Sequence, residues 1–180
     1  MILLTKSKPI KSAMVVAVDC LSRRSMTHYE LETRLLEKGF ESSEVTGVLD
    51  KLLKLGYLND QEFALMYSES RLKRYSKRRV QQDMKIRGLD PCLIEQALES
   101  TYSDDDEYQQ CLTLAKRWWG EEGKRWEQRH EAEQAKRYVP RELWIQHKIA
   151  RKLIQRGYPT DLVWKALNNL EDSHNLDDER

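Results

Sequence analysis

The apolar positions of this chain follow a helical pattern that recurs. Between Tyr29 and Leu52, Leu31 and Leu35 form one stripe at an interval of four, and Val45, Val48 and Leu49 form another at three and four. These spacings put each set on one face of an amphipathic helix. Between the stripes lies Lys38-Gly39-Phe40, and the same order of basic residue, glycine and large apolar residue returns at Arg87-Gly88-Leu89 and Arg156-Gly157-Tyr158. Shifting the five apolar positions by the 49 residues from Gly39 to Gly88 gives Val80, Met84, Ile94, Ala97 and Leu98. The 69 residues from Gly88 to Gly157 carry them on to Ile149, Leu153, Val163, Ala166 and Leu167. That every position stays apolar in a chain only 39% apolar marks an internal repeat.

Each copy predicts two helices joined by a short turn. The glycine takes the left-handed conformation that ends the first helix, and the apolar residue after it packs back on the last turn. Ser42 or Ser43, Asp90 before Pro91, and Thr160 before Asp161 are the expected caps of the second helices. A further helix precedes each pair. In the first copy it carries Met14, Val15, Val18 and Leu21 and is closed by Arg23-Arg24-Ser25; in the second it carries Phe63, Ala64, Tyr67 and Leu72; in the third, Leu112, Leu114, Ala115, Trp118 and Trp119. Thr27 with Glu30 and Asn59 with Glu62 read as capping boxes, and Tyr75-Ser76 stands where Met26-Thr27 stands one copy earlier.

The expected architecture is therefore all-α, a tandem array of three-helix repeats. Its divisions are a loose N-terminal arm over 1–11, repeats over 12–57, 58–102 and 103–170, and an acidic tail over 171–180 beyond a last helix from Leu162 to Leu170. The stretch from Gly120 to Val139 accounts for the 20 extra residues of the second interval and is dense in alternating charge. It predicts a charged helical extension at about 120–139, a projecting salt-bridged hairpin with Gly120 or Gly123 near the bend and Pro140 opening the next helix.

Composition agrees with this picture. Seven glycines, four prolines and 34% charged residues favour helices with short connections. The 180 residues suffice to bury roughly 70% of the unfolded surface. Cys20, Cys92 and Cys111 show no C-x-x-C spacing and are odd in number, so reduced structural thiols are expected rather than a disulfide framework. The apolar runs Met1–Leu4 and Ala13–Val18 are too short to span a bilayer, and a soluble, cytoplasmic monomer is expected.

No residue set looks catalytic. Phosphate-binding glycine loops, G-x-S-x-G and H-E-x-x-H are absent. His28, His130, His147 and His174 lack partners at zinc-ligand spacing, and the acidic run Ser103–Glu107 lacks the glycine and ligand order of a calcium loop, so neither metal nor cofactor is expected. The acidic run reads as the capped start of the next helix, and Glu121-Glu122 and Asp177-Asp178 read as solvated surface.

Segregated charge does stand out, although the net charge is only +1. Arg71, Lys73, Arg74, Lys77, Arg78, Arg79, Lys85 and Arg87 face a single acid, Asp83, within one stretch. Lys136, Arg137, Arg141, Lys148, Arg151, Lys152 and Arg156 stand against Glu142 in another. These stretches occupy matching helices, so stacking of the copies would merge them into a basic stripe with Tyr75 inside it. Such a stripe suits phosphates, an acidic protein surface or plain solvation.

The segments LLEKGFESSEVTGVLDKLLKLGYLNDQEFALMYSESRLKRY and VQQDMKIRGLDPCLIEQAL closely resemble the RecX regulatory proteins of bacteria, over about residues 13 to 101. The third copy fits through IARKLIQRGY and VWKAL. Where that family has a turn rich in Gly and Pro, this chain has Arg74-Tyr75-Ser76-Lys77. The resemblance implies an elongated, curved array without catalytic activity that binds the RecA filament on DNA. It also implies regulation, mostly inhibition, of RecA's recombinase, ATPase and coprotease activities in DNA repair and the SOS response. The contact residues expected on this basis are Arg71, Lys73, Arg74, Tyr75, Lys77, Arg78, Arg79, Lys85, Arg141, Lys148, Arg151 and Lys152, with weaker direct binding to single- or double-stranded DNA. Direct DNA binding as the main activity, or an adaptor role for another acidic protein, are the alternative readings.

Overall fold

The computed structural model describes residues 11–132 and 140–178. Among them are nine helices and no strand: α1 (Ala13–Arg23), α2 (His28–Glu37), α3 (Ser42–Lys54), α4 (Asp60–Leu72), α5 (Lys77–Ile86), α6 (Pro91–Thr101), α7 (Asp104–Ala132), α8 (Arg141–Gln155) and α9 (Thr160–Asp178). None is long and apolar enough to cross a membrane.

All fifteen repeat positions are buried, and the most open of them, Val48, exposes only 8% of its surface. Burial of a Val, Leu or Ile side chain contributes about 1.5–3 kcal/mol, so the repeat pattern coincides with the main source of stability. One core gathers Leu31, Leu35, Val45, Leu49 and Leu52 from α2 and α3, and Phe40 from the turn between them, with Ala13, Ala17 and Cys20 of α1. Another gathers Ile145, Ile149 and Leu153 of α8 and Val163 and Leu167 of α9 against Trp118 and Trp119 of α7.

The glycine turns repeat in detail. Gly39, Gly88 and Gly157 have φ of 88°, 74° and 90°. In each, the glycine N–H donates to the carbonyl three residues back and the next N–H to the carbonyl five back: Leu36 and Leu35, Lys85 and Met84, Ile154 and Leu153. This is the paired closure of a Schellman motif, which satisfies the last carbonyls of the helix and turns the following apolar residue inward. Phe40, Leu89 and Tyr158 are buried accordingly.

Helix starts agree in part with expectation. Thr27 and Glu30 form the full capping box, Asn59 Oδ1 accepts from Glu62 N at 3.0 Å, and Asp90 Oδ1 accepts from Cys92 N at 2.8 Å. The cap of α3 is Glu41, without a side-chain bond, rather than Ser42 or Ser43. Helix α9 already includes Thr160 and continues past Leu170, where the apolar period had placed its end, to Asp178.

The expected bend at Gly120 or Gly123 is absent, because α7 runs unbroken through both. A Cβ on Gly123 would lie 2.8 Å from Arg141 Nη2 and 3.9 Å from Ile145 Cδ1, so this glycine gives room for α8 to pack closely. Glu127 near the end of α7 pairs with Arg141 at the start of α8. Trp118, further back on α7, meets Arg156 just beyond the end of α8. The two helices are therefore antiparallel, and the extra residues lengthen both. Residues 133–139, with Lys136 and Arg137, lie outside the described residues, as does most of the N-terminal arm.

By its contacts the chain divides into two compact units. The first extends to Glu69 and includes Gln81–Ser100; the second joins Ser70–Val80 to Thr101 and the residues after it. Each unit contains one joint between successive copies of the repeat.

Two glycines of opposite role give a stability test. Gly88→Ala places a Cβ 2.3 Å from Tyr29 Cγ in the left-handed region and is expected to cost about 1–3 kcal/mol. Gly47→Ala, on an exposed turn of α3 with nothing within 4 Å, is expected to stabilise by about 0.5–1 kcal/mol. Urea unfolding of both variants measures the difference. The thiols give another. Cys20 and Cys111 are buried and Cys92 is exposed, while burial, followed by the charge of Glu107, pushes the Cys111 thiol up to about 12. A thiol-exchange reagent at neutral pH should label Cys92 rapidly and the other two only on unfolding.

Candidate functional site

The first joint is built on the start of α2. Buried Thr27 accepts at Oγ1 from Glu30 N (3.1 Å), and Glu30 Oε2 accepts from Thr27 N (3.3 Å). The Thr27 hydroxyl donates onward to the backbone carbonyl of Arg87, at 2.6 Å, and His28 N donates to Asp60 Oδ1 at 2.8 Å. The Arg87 guanidinium donates to Glu30 Oε1 at 2.5 Å and sits 4.9 Å from the Tyr67 ring centre and 5.9 Å from that of Phe63. Arg24 approaches the other oxygen of Glu30, at 3.5 Å.

The second joint repeats the plan on the start of α5. Buried Ser76 accepts at Oγ from Arg79 N (3.1 Å), and its own N–H donates to the carbonyl of Arg156, at 3.1 Å. Lys77 N donates to Glu107 Oε1 at 3.0 Å, as His28 N does to Asp60. Arg156 Nη1 donates to the Arg74 carbonyl (3.2 Å), and its guanidinium lies 4.6 Å from the Trp118 ring centre and 5.7 Å from that of Tyr75. Tyr75 also has Arg71 at 5.5 Å, and its carbonyl accepts from Tyr102 Oη at 3.1 Å.

A row of cations and rings results. Arg71, Tyr75, Arg156, Trp118 and Lys152 follow one another, with Lys152 Nζ 5.3 Å from the Trp118 ring centre. Beyond them stands Glu122, bonded to Lys152 and, at 2.5 Å, to Arg125. Expected on the solvated surface, Glu122 is instead 3% exposed, because α7 turns it toward α8. Burial alone would raise its pKa. The hydrogen bond and charge of Lys152, with the charge of Arg125, outweigh burial and hold the carboxyl below its ordinary range. Tyr102 and Tyr158 are shifted the other way, chiefly by burial, and stay protonated.

The predicted contact residues take different roles. Arg71, Arg74, Tyr75, Lys77 and Arg79 surround the second joint, and the Cβ of Arg79 lies 2.7 Å from where a Gly157 Cβ would stand. Lys73 and Arg78 are exposed on the same turn and helix, and Arg151 is exposed on α8. Lys152 is occupied by Glu122. Lys148 stacks on Trp144 at 5.3 Å, and Arg141 pairs with Glu127 and Glu142. With 1.5 Å of rise per residue, Arg141 lies roughly 22 Å along the α8 axis from Arg156. Lys85 belongs to the first unit. Three residues outside the expected contact set prove central: Arg156, Trp118 and Glu122. The signal for Arg156 was present in its match to Arg87 across the repeat. Among the described residues, no group of three or more His, Cys, Asp or Glu could hold a metal ion.

Comparison with known proteins agrees with the repeat. Residues 13–52 match the family model for the first three-helix domain of RecX, and residues 59–98 that for its second. The regulatory protein RecX of Chromobacterium violaceum is 31% identical over 157 residues, covering 87% of this chain and 90% of that protein. The regulatory protein RecX of Trichlorobacter lovleyi is 27% identical over 162 residues, 89% of this chain and 96% of that one. The crystal structure of RecX from Lactobacillus salivarius shares the fold with a TM-score of 0.62 at 20% identity, over 88% of this chain and 94% of that chain.

Glu122→Gln tests the buried end of the row. It leaves Lys152 and Arg125 without their carboxylate and is expected to cost about 1–3 kcal/mol at neutral pH. A carboxyl whose folded pKa lies below the ordinary 4.5 contributes fully above that value and loses its contribution as pH falls through the folded one. The difference in denaturation midpoint between parent and variant should therefore shrink as pH is lowered below 4.5.

Proposed function

Because the chain belongs to the RecX family, we propose that it is a non-enzymatic regulator of the RecA recombinase that docks on the RecA–DNA filament through the cationic row of its second unit. Its effect is mostly inhibitory, on RecA's ATPase, recombinase and coprotease activities in DNA repair and the SOS response. It acts in the cytoplasm as a monomer. The observation that carries this reading is the row itself, in which Arg71 and Arg156 lie over Tyr75, and Arg156 and Lys152 over Trp118.

Guanidinium groups held over aromatic rings are pre-organised, so less side-chain entropy is lost when they meet an acidic partner. The exposed cations Lys73, Arg74, Arg78 and Arg151 supply the long-range attraction that speeds encounter and makes it depend on salt. A filament of protein on DNA offers anionic groups of both kinds. A regulator of this sort needs no activated nucleophile, and Cys111, Tyr102 and Tyr158, buried and shifted upward, provide none.

Reversing Arg74, Arg78 and Arg151 together to Glu should raise the concentration needed for half-inhibition of RecA's single-stranded-DNA-dependent ATPase by at least about tenfold, roughly 1.4 kcal/mol of docking energy. Helicity by circular dichroism should stay as in the parent. Undiminished inhibition by the folded variant would argue against this surface. Equal affinity of the parent for bare DNA and for filament, lost steeply with salt, would favour direct DNA binding instead.

A further inference from the structure

The two joints set their arginines over rings that are held in different ways. In the first, both rings that meet Arg87, those of Phe63 and Tyr67, project from α4, so the helix fixes them. In the second, Trp118 projects from α7, but Tyr75 lies in the connection between Leu72 and Lys77, outside any helix. Arg71 and Arg156 both lie over the Tyr75 ring. Its place in the row depends on what binds the connection.

The backbone around Tyr75 is bound on either side. Its own N–H donates to the Arg71 carbonyl at 3.0 Å and that of Ser76 to the Arg156 carbonyl at 3.1 Å. Lys77 N donates to Glu107 Oε1 at 3.0 Å, and the Arg74 carbonyl accepts from Arg156 Nη1 at 3.2 Å. The carbonyl of Tyr75 itself accepts from the phenol of Tyr102, at 3.1 Å. Tyr102 stands between α6 and α7 and is buried, with 6% of its surface exposed. Burial, followed by the charge of Glu107, keeps that phenol protonated, so it serves as a donor. A side chain fixed by packing thus reaches the ring of the row that lies off a helix. The residue 49 positions before Tyr102, by the repeat interval, is Leu53, which has no hydroxyl. The first joint, whose rings stand on a helix, does without such a bond.

We infer that Tyr102 is a positioning residue of the docking row: through the Tyr75 carbonyl, its hydroxyl holds the Tyr75 ring in place beneath Arg71 and Arg156 for the arrival of an anionic partner. The role rests on the docking reading above and adds to it the group that sets the geometry of the row. A row already ordered before docking loses less freedom on binding, so loosening its ring weakens affinity while every charge stays the same.

In the full chain, Tyr102→Phe removes the hydroxyl and keeps the ring, the packing and the charges. Tyr158→Phe is the matched control, because Tyr158 is 2% exposed and its Oη has no hydrogen-bond partner. Both variants are compared with the parent well below their melting transitions, with helicity checked by circular dichroism. Y102F should raise the concentration needed for half-inhibition of RecA's single-stranded-DNA-dependent ATPase by about fivefold, the weight of one hydrogen bond. Y158F should leave it unchanged. In NMR spectra of the chain with isotope-labelled arginine, the Arg156 Nε–H signal, shifted by the rings beside it, should move in Y102F and stay in Y158F. Tyr75→Leu, which removes the ring, should lose at least as much inhibition as Y102F. Adding Y102F to Y75L should then cost nothing more, since changes that act through one group are not additive.

Inhibition by Y102F equal to that of the parent would overturn the role, as would equal losses in Y102F and Y158F. A further loss when Y102F is added to Y75L would overturn it too, by showing that Tyr102 acts elsewhere than through Tyr75. A parent that leaves RecA's ATPase unchanged would sink the docking reading. In that case the Arg156 signal decides alone whether Tyr102 positions the row, and a signal that stays in place in Y102F would count against it.

Discussion

The backbone carbonyl of the arginine that precedes the second and third of the repeated glycine turns is the point on which this structure depends. At Arg87 and Arg156 that carbonyl is captured by the start of the preceding copy's middle helix, through the Thr27 hydroxyl in one case and the Ser76 amide in the other. Capture requires the chain to reverse immediately afterwards, which needs positive φ, and to pass against the neighbouring helix without a side chain in the way. A Cβ at Gly157 would lie 2.5 Å from Ser76 Oγ, as one at Gly88 would lie 2.3 Å from Tyr29. Helix termination and the joining of successive copies are thus the same event, satisfied by one residue with no Cβ.

Placing the carbonyl also places the arginine side chain. Its guanidinium comes to rest over an aromatic ring of the first helix of its own copy, Tyr67 for Arg87 and Trp118 for Arg156. What differs is the charge that meets it. In the first joint that charge is Glu30, whereas the position 49 residues on, in the second, is Arg79. Buried Glu122 neutralises Lys152, which separates a cation that holds the fold from the exposed Lys73, Arg78 and Arg151. Family membership and this division support the same reading, a protein that acts by docking.

The pattern of apolar residues determined much of this without coordinates. Helix faces follow from a period of 3.6 residues and left-handed turns from glycine, and both are local rules, so the fifteen core positions and the Thr27–Glu30 box were legible in the chain. The pairing of Tyr75-Ser76 with Met26-Thr27 followed from the repeat alone. It anticipated the hydroxyl cap of α5, because copies of one motif satisfy the same backbone groups in the same way.

Only the tertiary structure decided the rest. Gly120 and Gly123 resemble helix breakers by propensity, a handicap of about 1 kcal/mol each, yet α7 continues through both, and at Gly123 the missing Cβ lets α8 pack against it. Glu122 looked solvated because its neighbours in sequence are charged, yet it is buried and bonded to Lys152, 30 residues away, as well as to Arg125. Arg156 counted as one cation among seven until the fold set it between Tyr75, Trp118 and the carbonyl of Arg74, a residue 82 positions earlier. Periodicity reports which face of a helix leaves water. Which charges meet across that face depends on the three-dimensional path of the chain.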